Sequence, residues 1–98
     1  GLSLEPRSWK ARFALARVFW KRSDITRTAK QLALTIQLNP EHAEAHFLAG
    51  HVFVRAGKPA DASLEFQEYL RLAPKGANAG QAREMIQKLE KRPSASNR

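Results

Sequence analysis

Residues 43–76 read AEAHFLAGHVFVRAGKPADASLEFQEYLRLAPKG. Apolar residues recur there at helical spacing as far as Arg55, then Gly57 and Pro59 interrupt, and a second helical run follows to Leu72. Glycine just after a periodic run and proline just inside the next are the stop and start signals of two helices joined by a tight turn. The stretch ends LRLAP (residues 70–74), and the chain carries near-copies of that ending at LSLEP (2–6) and IQLNP (36–40). The prolines at 6, 40 and 74 are two equal steps of 34 residues apart. Recurrence at that period is the signature of stacked helical hairpins, each burying its apolar face against its neighbour.

Working outward, Ser8 is placed to cap a helix over 9–22, and Ser23-Asp24 to end it and cap a second over 25–38. Asn39-Pro40 breaks the chain, because proline disfavours helical geometry in the residue before it. A third helix is expected over 41–56, a fourth over 59–72 and a fifth over 77–91. No alternating stretch of β-branched and aromatic residues argues for a strand.

The unit 43–76 resembles a tetratricopeptide repeat. Gly50 and Ala62 stand at the family's small positions, Phe53 and Phe66 at its large ones, and Pro74 closes the unit. His46 stands where the family often has tryptophan, Ala49 where it has leucine and Tyr69 where it prefers alanine. The preceding unit, 9–42, is more degenerate: Ala16, Phe19, Thr28, Leu32 and Pro40 fit, whereas Arg12 replaces the usual tryptophan. Residues 1–8 match the end of a truncated preceding repeat. In 77–91 only Ala79, Ala82, Ile86 and Leu89 form an apolar face, as in a C-terminal capping helix, and 92–98 read as a disordered tail. The resemblance implies an all-α fold, a right-handed α-α superhelix of two helical hairpins plus that cap.

Composition narrows the function. The 98 residues are 43% hydrophobic, enough for a core, and contain no cysteine, which excludes disulfides and thiol chemistry. No apolar run approaches the roughly 18 residues of a membrane span, and a soluble protein is expected. The net charge of +8 is concentrated, since residues 1–30 hold eight basic side chains against Glu5 and Asp24. A concentrated basic end suits an acidic partner.

Chemistry is harder to find. His42 and His46 have the one-turn spacing of metal ligands, but the glutamate between them is displaced from the His-Glu-x-x-His order and His46 occupies a packing position. No phosphate loop, nucleophile elbow or Cys-His pair occurs. Glu65 and Glu68 are expected on a wet outer face. Neither an enzyme nor a cofactor is expected.

A binding module is the better class. In a stack of such hairpins the resemblance implies that the first helix of each repeat lines a concave surface. The inward positions are then Lys10, Phe13, Ala14, Arg17, Trp20 and Lys21, followed by Glu44, Phe47, Leu48, His51, Val54 and Arg55, with Asn78 and Met85 among those added by the fifth helix. The expected binding set is Lys10, Phe13, Arg17, Trp20, Lys21, Phe47, His51 and Arg55, suited to an acidic protein segment with an apolar anchor. The runner-up is a basic surface for nucleic acid or anionic membrane, supported by charge and by the Trp- and Arg-rich stretch 8–22 but by no reader motif. A first hairpin without a preceding neighbour is also expected to self-associate, or to fray, at its N-terminal edge.

Overall fold

The computed structural model describes residues 8–90; the expectations for 1–7 and 91–98 lie outside them. It contains five helices, α1 (Trp9–Lys21), α2 (Ile25–Leu38), α3 (Ala43–Arg55), α4 (Pro59–Leu72) and α5 (Ala79–Glu90), and no strand among the described residues. The fold is an all-α array of helical hairpins, with α1 packed on α2, α3 on α4, α2 on α3 and α5 on α4.

Capping explains the boundaries. Ser8 accepts a hydrogen bond from the Ala11 amide at 3.2 Å, and Asp24 accepts one from the Arg27 amide at 3.1 Å. Each satisfies an amide that the first helical turn leaves free. Ser23 takes φ 60°, so the turn into α2 uses the left-handed region without a glycine, while Gly57 (φ 76°) supplies it after α3. Two helices start two residues later than expected. His42 is the extended N-cap of α3, its amide donating to the Asn39 carbonyl at 3.2 Å, so Glu41 stays in the turn. Before α5, the Asn78 amide donates to the Tyr69 hydroxyl at 3.1 Å, which holds residues 76–78 in a turn.

Two apolar clusters form the core. Ala16, Leu32, Ala45, Ala49 and Val52 join the first hairpin to α3, and Ala62, Phe66, Tyr69, Ala79 and Ala82 join the second hairpin to α5. Phe47 on α3 packs against the second cluster, its ring centroid 5.6 Å from Phe66 and 5.2 Å from Tyr69. Thr28 and Thr35 on α2 are fully buried as well. Their hydroxyls donate back to the carbonyls of Asp24 (2.7 Å) and Gln31 (2.8 Å), so neither hydroxyl is stranded.

The small residue at 50 has a specific cause. A Cβ there would stand 2.7 Å from the ring of Phe66, which is itself fully buried. Close helix crossing at this point is therefore set by an aromatic ring filling the space that Gly50 leaves. Burying that ring contributes roughly 1.5–3 kcal/mol.

Candidate functional site

One face of the array carries a cleft of about 440 Å³. Phe13, Arg17, Trp20 and Lys21 form its α1 wall; Glu44, Phe47 and Leu48 form its α3 wall; Asn78 closes one end. The α1 residues fall at steps of 4, 3 and 1, one face of a helix. Five of the eight residues in the expected binding set thus line a single cleft. Glu44, Leu48 and Asn78, inward-pointing but outside that set, line it too, so the cleft is basic along α1 and carries a carboxylate on α3.

The other three members of the set lie around it. His51 is half-buried, its ring centroid 4.8 Å from Phe47, 5.2 Å from Phe66 and 6.4 Å from Trp20. Burial holds its pKa below the ordinary histidine value, because the charged ring would lose hydration. The Arg55 guanidinium lies 4.9 Å from the Trp20 ring centroid, a cation–π contact that joins α3 to α1 and presents a planar cation beside the cleft. Lys10 behaves differently: its ammonium sits 5.7 Å from the Trp9 ring and does not line the cleft. Trp9 and Phe13 in turn pack against His42, at 4.5 and 4.7 Å. Burial is the main cause of a lowered pKa at His42, with Glu44 opposing it and His46 adding to it.

Among the described residues no group of three or more His, Cys, Asp or Glu side chains converges on a point. Both ring nitrogens of His46 are already engaged, Nδ1 with Glu65 Oε1 and Nε2 with the Pro40 carbonyl, each at 2.8 Å. This corrects the expectation that Glu65 lies in open water: its carboxylate is turned inward to His46, and its side chain is only 26% exposed. Glu68 does stay near the surface, where hydrogen bonds from Arg71 lower its pKa. The Glu65 pairing had one signal in the sequence, a histidine at a packing position where an apolar ring is usual, which needs a polar partner once buried.

No described helix is long and apolar enough to cross a membrane. No curated protein matches the chain. The family profile described as tetratricopeptide repeat matches residues 13–77, which take in most of α1, all of α2, α3 and α4, and about two-thirds of the sequence. With that match lying over a helix-hairpin array whose 34-residue period is visible in its prolines, the chain belongs to the tetratricopeptide repeat family.

Proposed function

We propose that the cleft between α1 and α3 recruits an acidic, partly apolar protein segment, and that the chain is a non-catalytic scaffold. Tetratricopeptide repeats generally mediate protein–protein interaction. The observation that carries the finer reading is the composition of this cleft: Phe13, Phe47 and Leu48 alongside Arg17 and Lys21, with Arg55 held on Trp20 at the margin. Apolar walls supply most of the affinity in such a site, whereas the cations steer the partner and fix its direction. Glu44 adds selectivity. It repels a uniformly acidic segment, so the preferred ligand concentrates its acid toward α1 and places a hydrogen-bond donor near Glu44 and Asn78.

A display library of random dodecapeptides, panned against the immobilised chain, tests the reading whatever the partner is. The expected outcome is a consensus pairing acidic residues with a large apolar one. Enrichment of basic peptides, or of none, contradicts the reading. Binding to vesicles of anionic lipid or to random-sequence RNA at physiological salt, with no peptide enriched, favours the basic-surface alternative.

A further inference from the structure

A second cavity, about 480 Å³, lies among α2, α3 and α4 and shares no lining residue with the first. Its walls include Ala29, Ala33 and Ile36 from α2, Val52 and Phe53 from α3, and Glu65 from α4. It is almost wholly apolar, and the α1–α3 cleft makes no use of it. Leu64, one turn along α4 from Asp61, is 62% exposed.

The charges of the two flanking helices are opposite. Helix α2 carries Arg27 and Lys30 and no acidic residue; α4 carries Asp61, Glu65 and Glu68 against Arg71. Arg27, Lys30 and Leu34 form one stripe of α2 at steps of 3 and 4, and Asp61, Leu64 and Glu68 form the same stripe of α4, one 34-residue period later. One stripe therefore reads basic, basic, apolar, and the other acidic, apolar, acidic. Lys30 and Asp61 form no ion pair among the described residues; Arg27 lies over the Phe19 ring at 5.9 Å and makes an exposed bridge to Asp24 at 3.0 Å, of a kind that is cheaply exchanged.

We propose that two copies of the chain pair through this second cavity. In that arrangement α2 of each copy enters the α2–α4 groove of the other. The small side chains of Ala29 and Ala33 let the two α2 helices approach closely, and the basic stripe of one copy meets the acidic stripe of the other. A two-fold pairing uses each stripe twice, so shape and charge are both self-complementary. The exposed edge of α1, where self-association is expected from sequence, is the poorer surface. Its Val18, 46% exposed, is surrounded by Arg17, Lys21 and Arg22, and a second copy there would oppose like charges. Pairing there uses none of the residues that line the α1–α3 cleft, so a pair would present two clefts.

Sedimentation velocity of the 98-residue chain, from micromolar to millimolar concentration, tests this directly. A reversible monomer–dimer equilibrium is expected. Ala33→Glu, at an exposed position, should weaken it at least about tenfold with the helical circular dichroism unchanged, whereas Val18→Glu should leave it intact. Lys30→Glu and Asp61→Lys should each weaken the dimer, and the double variant should recover it. A monomer at every concentration overturns the proposal, as do oligomers larger than two. So does a dimer that Val18→Glu abolishes and Ala33→Glu does not.

Discussion

His46 and Glu65 meet at 2.8 Å across the α3–α4 interface, while the second ring nitrogen of His46 lies 2.8 Å from the Pro40 carbonyl. A carboxylate and a carbonyl are both acceptors. The ring nitrogen that carries a proton donates to the acceptor facing it. One side chain thereby joins the turn after α2, helix α3 and helix α4. Replacing either His46 or Glu65 by alanine should cost about 1–3 kcal/mol, because the remaining partner keeps a desolvated polar group without its bond. The double variant should cost less than the two single changes together, by more than about 0.5 kcal/mol. Urea unfolding of the four proteins measures this, and strict additivity would show that the contact contributes nothing.

Gly50→Ala should destabilise the chain even though alanine is the better helix former. The propensity gain is at most about 1 kcal/mol. Against it stands a Cβ placed 2.7 Å from the Phe66 ring, and overpacking of that kind costs roughly 1–3 kcal/mol. Trimming the ring with Phe66→Leu should make the glycine replaceable: in that background Gly50→Ala is expected to be neutral or stabilising. Thermal melts of the three variants and the parent decide it.

The melting temperature should fall on acidification below about pH 6.5. Burial lowers the pKa of both His42 and His51 in the folded chain. The unfolded chain therefore binds protons at these sites more readily than the folded one, and acid favours unfolding. Their contribution is fully present above the unfolded value and is lost as the pH falls through the depressed folded values. His51→Phe should remove part of this acid-side slope, because phenylalanine has no proton to bind and His51 already sits among Trp20, Phe47 and Phe66. An unchanged slope would mean that His51 is not desolvated.

What could be read in advance divides along physical lines. Helices and turns depend on neighbouring residues, so Ser8, Asp24, Gly57 and Pro59 announced them with errors of about two residues, at the turns before α3 and α5. The α1 face was legible for the same reason, since one helical period brings Phe13, Arg17 and Trp20 together. Contacts between helices depend on side-chain conformation and were less visible. His46 and Glu65 are 19 residues apart, and nothing local shows the glutamate turning inward. Lys10 shares the face of Arg17, yet its ammonium lies over the Trp9 ring. The second cavity depends on how α2, α3 and α4 pack together, which no single helix encodes.

Particular cations in the α1–α3 cleft, and not the overall charge of +8, are proposed to select the partner. The most direct measurement compares Arg17→Glu with Arg71→Glu in binding a peptide enriched from the dodecamer library, by fluorescence anisotropy over a range of salt. Both reversals change the net charge equally. Arg17 lines the cleft, while Arg71 is exposed on α4 and pairs with Glu68. The expected result is a loss of at least about tenfold for Arg17→Glu, seen chiefly in slower association with weaker salt dependence, and less than about twofold for Arg71→Glu. Equal losses from the two reversals would make the interaction bulk charge attraction and contradict the assignment of the cleft.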